Sequence, residues 1–384
     1  MKKFSKFAGL MLATAMVVTS LAGCGAKAES NTFKIGGIGP LTGGAAVYGI
    51  AATNGMQIAV DEINAAGGIN GYRIEFKAED DAHDAEKSVN AYNSLKDWGM
   101  QVLAGTVTST PCVAVSDKTA ADGMLEVTPS ASSTNTIVND NVFQICFTDP
   151  NQGVGSADYI AEHFADAKVG IIYCSNDVYS TGIRETFVSE GSKVGLNIVA
   201  DEAFTTDTNT DFTTQLQKCQ DAGVDLIFYP YYYTEASIIL TEINTMGYDV
   251  TFFGVDGMHG ILEVENFDVK LANGVYLLTP FAADAKDDLT VAFVTKYKEL
   301  YKEVPNQFAA DGYDTIYAIK AALEKANATP SMSAKEIGNV AVPAMAQITV
   351  NGLTGTGMTW AATGEVSKAP MAVIIKDGAY VSAE

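Results

Sequence analysis

Residues 105–133 read GTVTSTPCVAVSDKTAADGMLEVTPSASS, and this stretch decides the fold. Two short apolar runs, Gln101–Gly105 and Met124–Thr128, have the composition of strands. Each is followed at once by hydroxyls: Thr106, Thr108, Ser109 and Thr110 after the first, Ser130, Ser132, Ser133 and Thr134 after the second. Thr110-Pro111 reads as a helix N-cap with proline at the first helical position. Strand, hydroxyl-bearing turn, helix and strand again make a β/α repeat, and open parallel sheets bind ligands beyond the carboxyl ends of their strands. A helix N-terminus brings free N–H groups and partial positive charge, so hydroxyls beside it suit a carboxylate or phosphate. Ordinary caps and turns account for any single Ser or Thr here. Two adjacent hydroxyl-rich strand ends point to an anion site.

The same alternation extends both ways. Upstream, Phe33–Ile38 reads as a strand and Gly39-Pro40-Leu41-Thr42-Gly43-Gly44 as a turn. A helix follows to about Ala66, with Ala52, Met56, Ala59 and Ile63 on one face and Gly67-Gly68 ending it. Strand Arg73–Ala78 and helix Asp84–Trp98 come next. Downstream, Val142–Phe147 is a strand and Asp149-Pro150 a break, read as a first crossing into a second lobe. There the pattern restarts: helices near 151–166, 180–195, 210–222 and 234–246, strands at 168–174, 196–201, 225–229 and 250–254. Gly274–Thr279 is a strand, and Pro280 marks a second crossing. Helices near 287–303, 310–327 and 333–340 follow, then short strands Met358–Trp360 and Ala372–Ile375, with a hairpin turn at Lys376–Tyr380. This is an α/β chain with two doubly wound parallel-sheet lobes and a cleft between them.

The chain has 384 residues, of which 47% are hydrophobic, enough for two lobes with large cores. Its formal net charge of −22 argues against nucleic-acid binding, which needs clustered Lys and Arg to neutralise phosphates. Lys2, Lys3 and Lys6 precede an apolar run, Phe7–Val18, too short for a dedicated membrane span. Leu21-Ala22-Gly23-Cys24 then resembles the lipobox of bacterial lipoproteins. That resemblance implies cleavage before Cys24, a lipid on its sulfur, and anchoring to the outer face of the cell membrane, with residues 1–23 the signal peptide and 24–31 a tether. Cys112, Cys146, Cys174 and Cys219 form no C-x-x-C. Cys146 and Cys174 lie in apolar runs as buried thiols, and spacing leaves any disulfide open.

Five motifs resemble those of leucine/isoleucine/valine-type periplasmic binding proteins, in the family's order. They are Gly39-Pro40-Leu41-Thr42-Gly43, the run Asp61–Gly71 (DEINAAGGING), Glu79-Asp80-Asp81, Val127–Ser132 (VTPSAS) and Phe253–Gly257 (FGVDG). The likeness runs from about Thr32 to the C-terminus. It implies a type I bilobal fold with a three-crossing hinge: 32–149 plus 281–350 as one lobe, 150–280 plus 351–384 as the other. It implies the solute-binding component of an ABC amino-acid importer, a monomer working with permease and ATPase subunits and needing no cofactor.

By the same resemblance, Ser109 matches a hydroxyl that holds the ligand carboxylate, Ser130 a backbone contributor, and Ser132 a threonine touching both carboxylate and ammonium. Asp256 matches a glutamate that pairs with the ammonium. Tyr48, Tyr179, Tyr232 and Phe308 match aromatic pocket positions. Asp for Glu shortens the acid by one methylene, and Ser for Thr loses a methyl. The family's best-known members carry a disulfide where this chain has His83 and Thr108.

These assignments fit the chemistry of a zwitterion, which needs donors for its carboxylate, an anion for its ammonium and an apolar wall. Locally, Asp256-Gly257 is also an ordinary turn sequence. Of the rings in Tyr229–Tyr233, most read as packing or surface and Tyr232 as facing the cleft. Tyr48 and Tyr179 read as loop residues at its rim. Asp311 and Tyr313 read as capping and packing residues, His83 as surface or second-layer, and His163 as solvent-facing. No G-x-S-x-G, H-E-x-x-H or P-loop motif occurs, so an enzyme is not expected. The leading expectation is capture of a branched-chain or other neutral amino acid for import. The alternatives are a sensor of the same fold signalling to a membrane receptor, and a binder of an aromatic or non-amino-acid carboxylate.

Overall fold

The computed structural model describes residues 32–368 and 371–383. Cys24 and the expected signal peptide and tether lie outside them. The first lobe opens with β1 (Thr32–Gly39), α1 (Ala46–Ala65), β2 (Arg73–Asp80), α2 (Ala85–Trp98), β3 (Val102–Gly105), α3 (Ser109–Asp122), β4 (Glu126–Thr128) and β5 (Val142–Gln144). Its five strands pair in parallel in the order β2-β1-β3-β4-β5. The second lobe contains α4 (Asp149–His163), β6 (Lys168–Cys174), α5 (Val178–Val194), β7 (Asn197–Phe204), α6 (Thr213–Asp221), β8 (Leu226–Tyr229), α7 (Tyr233–Met246), β9 (Thr251–Gly254) and β10 (Tyr276–Thr279). The chain then returns to the first lobe as α8 (Asp288–Tyr301), α9 (Gln307–Lys325) and α10 (Ala334–Met345). It ends in the second with β11 (Met371–Lys376) and β12 (Ala379–Ser382).

The second sheet runs β12-β11-β10-β9-β8-β6-β7. It is parallel from β10 to β7, but β11 and β12 join antiparallel. The hairpin between them turns at Asp377 and Gly378, both with positive φ (51° and 75°), as the expected tight turn requires.

Several boundaries differ from the expected ones. Asp149-Pro150 does not break the chain but opens α4, with the Thr148 hydroxyl capping it from the preceding residue. Proline is admitted there because first-turn N–H groups have no helical partner. Likewise α3 starts at Ser109 with Thr108 before it, so Thr110 is not the N-cap. Met358–Trp360 forms no strand. Val350–Met358 and Trp360–Val366 are isolated bridges, and the Trp360 indole donates to the Gln144 carbonyl of β5 at 2.7 Å. That contact places the segment on the first lobe. So do the Leu353 and Thr354 N–H groups, bonded to Asp314 of α9, and Lys368, bonded to Asp311. The third crossing therefore follows Lys368, not residue 350.

Two motifs have evident structural work. The Asn64 side chain bonds both the N–H and the carbonyl of Ile74, pinning α1 to β2. Asp80 accepts from Leu41 N–H at 2.8 Å and from the Thr42 hydroxyl at 2.6 Å, fixing the turn after β1. In the core, α1 and α9 pack almost backbone to backbone. A Cβ on Gly55 would lie 1.9 Å from the Ala309 carbonyl oxygen, and one on Gly312 2.1 Å from that of Ala52. This close approach seats the start of α9 against the middle of α1.

Candidate ligand-binding cleft

Each sheet has one point where strand order reverses, between β1 and β3 in the first and between β6 and β8 in the second. Crevices outside the carboxyl ends of the strands form at such points. Here the two crevices face one another. Tyr48 comes from the first turn of α1, after β1, and Val107, Thr108 and Ser109 follow β3. Ser130 follows β4. From the other lobe, Tyr179 lies in the first turn of α5, Tyr232 precedes α7, and Asp256 and Gly257 follow β9. Phe308, in the first turn of α9, completes the lining, which closes on a space of only about 10 Å³, room for little more than one water.

The structure thus brings Tyr48, Ser109, Ser130, Tyr179, Tyr232, Asp256 and Phe308 around one cleft. Ser132 is not in its lining. It is fully buried, with its hydroxyl unpaired among the described residues. Tyr48 and Tyr179 are not rim residues on loops but buried helix residues. All of Tyr229, Tyr231, Tyr232 and Tyr233 are buried, so none is a surface ring.

The aromatic wall is continuous. Tyr48 lies 4.4 Å from Phe308, 5.3 Å from Tyr232 and 5.0 Å from Tyr233, centroid to centroid. Tyr179 stacks on Tyr232 at 5.2 Å. Such contacts add to burial by roughly 0.5–1.5 kcal/mol each.

The two poles of the cleft differ in charge character. On the first lobe, Ser109 is the first residue of α3, where N–H groups are free. Its hydroxyl accepts from Ser133 N–H at 3.2 Å, which leaves its own proton to donate. The Ser130 hydroxyl is spent on the Val107 carbonyl at 2.6 Å. On the second lobe, Asp256 is buried. The Tyr179 hydroxyl donates to its Oδ1 at 2.6 Å and accepts from Gly257 N–H at 3.0 Å. Burial pushes the Asp256 carboxyl up to about 6, partly offset by hydrogen bonds from Tyr179 and Gln152. No Lys or Arg is among the lining residues.

The lobes also touch directly. Tyr48 donates to the Gly257 carbonyl. Thr110 donates to Asp177 at 3.0 Å, Thr234 to the Gly44 carbonyl at 2.8 Å, and Val47 N–H to the Tyr233 hydroxyl at 3.3 Å. His83 and Thr108, where a disulfide would stand in the family pattern, meet through a 2.9 Å hydrogen bond, and the His83 ring lies edge-on to Tyr232.

Residues that the sequence did not single out surround Asp256. Gln152 and Gln307 bond its backbone, and Asp149 lies behind Ser132. Nothing local marks them, because their partners are distant in the chain. Asp311 forms a buried ion pair with Lys368 at 3.0 Å, and Tyr313 bonds Glu62 at 2.7 Å, so both serve packing. His163 is exposed at the end of α4, whereas His259 is buried against Tyr380. Cys112, Cys146, Cys174 and Cys219 are all free and buried.

A family model described as periplasmic binding protein matches residues 32–379. Leu/Ile/Val-binding protein BraC3 of Rhizobium johnstonii is 30% identical over 326 residues, 84% of this chain and 86% of that one. The isoleucine complex of the branched-chain amino acid transporter substrate-binding protein LivJ from Streptococcus pneumoniae superposes with a TM-score of 0.83. It is 28% identical, covering 92% of this chain and 99% of that one. A solute-binding protein of an R. palustris ABC transporter, solved with benzoate, shares the fold at a TM-score of 0.81 and 19% identity, over 92% of this chain and 95% of that one.

Proposed function

The chain belongs to the periplasmic binding protein family, whose members bind solutes and are not enzymes, and from that premise we propose that it captures a small neutral amino acid, branched-chain ligands foremost, and delivers it to an ABC permease. The observation that carries this reading is the two-pole cleft. The free N–H end of α3 with Ser109 faces the ligand carboxylate, and buried Asp256 faces the ammonium. The rings of Tyr48, Tyr179, Tyr232 and Phe308 receive the side chain. Contacts to both lobes exist together only when the lobes are closed, so the ligand favours closure. A carboxylate lacking an ammonium would leave Asp256 buried opposite it without a cationic partner, which disfavours benzoate-like ligands. The names of the relatives, which refer to leucine, isoleucine and valine, support the amino-acid class.

We assign lipid anchoring to Cys24 on its Leu-Ala-Gly-Cys context. A Cys24→Ser variant that stays membrane-bound would refute the anchor. The binding test is calorimetry with leucine, isoleucine, valine, alanine and benzoate. Wild-type protein binds one or more of the amino acids, and Asp256→Ala loses at least tenfold in affinity with its melting transition intact. Undiminished affinity in that variant would refute the role of Asp256.

A further inference from the structure

Asp256 can meet an ammonium only if its short turn, Asp256–Met258, is held in place. Within the second lobe Gln152 of α4 accepts the Asp256 N–H at 3.2 Å, and Tyr179 holds the carboxylate at 2.6 Å. The Asp256 carbonyl is held differently. It accepts from His259 N–H in its own turn at 2.9 Å and from the Gln307 side-chain amide at 2.8 Å. Gln307 is the first residue of α9, in the other lobe, and is fully buried. Its neighbour Phe308 packs on Tyr48. One helical turn of the first lobe therefore carries both a wall of the cleft and a tether to the acid across it.

We propose that Gln307 is a positioning residue: it fixes the Asp256 turn from the opposite lobe, so that closing the cleft and placing the acid are one event. The inference rests on the reading of Asp256 as the ammonium partner, but the tether itself is a property of the protein without ligand. A bond between groups on two lobes exists only where those lobes meet, so it contributes to the closed state and not to the open one. With two hydrogen bonds already on its carbonyl, the Asp256 backbone has no further need of the ligand. Its carboxylate alone faces the cleft.

The test uses Gln307→Met, which keeps the length and removes the amide, and Gln307→Glu. A buried carboxyl stays protonated to a higher pH than usual and in that form can donate to the carbonyl as the amide does. Energy transfer between dyes on the exposed positions Val340 (α10) and Val199 (β7) reads lobe closure without ligand. The ratio of closed to open molecules falls about tenfold in Gln307→Met, the scale of one hydrogen bond. Compared with wild type at the same pH, Gln307→Glu is unchanged at pH 5 and falls toward the Met value at pH 9. Isoleucine affinity falls about tenfold in Gln307→Met, chiefly through faster dissociation. Wild-type closure in both variants at every pH would overturn the inference while leaving the amino-acid reading intact. Loss of closure in a protein whose wild type binds no amino acid would keep the tether and sink that reading instead.

Discussion

Asp149 is a carboxylate in a place that does not suit a charge. It is 1% exposed, and among the described residues neither of its oxygens completes a hydrogen bond. Gly182 of α5 closes against it: a Cβ there would lie 2.9 Å from Oδ2. Burial pushes its carboxyl well above the usual range. The nearby Ser132 and Ser133 hydroxyls oppose that shift, and the charges of Asp256 and Asp177 reinforce it. Its seat in the first turn of α4 returns about 0.3–2 kcal/mol from the helix N-terminus. Asp149→Asn keeps the shape and removes the charge. A carboxyl whose folded pKa is raised is least costly below its unfolded value, about 3.9, and the stability it allows is lost as pH rises toward the folded value. Relative to wild type, the Asn variant therefore gains stability with increasing pH. While the folded carboxyl holds its proton and the unfolded one has lost it, the gap grows by about 1.4 kcal/mol per pH unit, so it widens by up to about 4 kcal/mol between pH 5 and pH 8. With an unfolding entropy of roughly 2.1 cal/mol/K per residue over roughly 350 residues, this is a relative melting-temperature gain of up to roughly 5 °C. Scanning calorimetry of both proteins without ligand, across that range, measures it. Parallel curves, or an Asn variant that loses ground as pH rises, would refute the reasoning.

Three further outcomes follow from the cleft and the hinge. Amino-acid affinity weakens below about pH 6, where Asp256 takes up its proton, by up to tenfold per pH unit. Tyr179→Phe, which removes a hydrogen bond to that carboxylate, moves the midpoint upward; calorimetry from pH 4.5 to 8 reads both effects. Lys368→Met leaves Asp311 buried without its partner and lowers stability by about 3–5 kcal/mol at pH 8, seen in chemical denaturation; an unchanged midpoint contradicts the buried pair. Cys112, Cys146, Cys174 and Cys219 resist a thiol reagent in the native state and react on unfolding, with no change in melting temperature under reductant.

The two-lobe plan was legible because alternation of strand and helix is written locally, in apolar runs punctuated by Gly67-Gly68, Gly99 and Pro280. Ser130 and Asp256 stand in the short motifs that carry the resemblance and sit just past strand ends in the structure, whereas the lining rings lie outside those motifs. Three kinds of feature escaped. Helix starts at Ser109 and Asp149 were misplaced because a proline at either of the first few positions gives the same local pattern. The segment 351–368 was assigned to the wrong lobe because its anchors, Gln144, Asp311 and Asp314, are remote in sequence. Gln152 and Gln307 went unmarked for the same reason, and Asp149 was read only as part of a break between the lobes.

The direct bonds between the lobes, from Thr110 to Asp177, Thr234 to Gly44 and Val47 to Tyr233, bear on how sharply an importer can sense cargo. A jaw that grips itself needs less help from what it swallows. A molecule as small as alanine could tip such a balance, but an empty jaw will also shut now and then. The permease then meets vacant look-alikes as competitors, and the fidelity of uptake rests on how rarely they form.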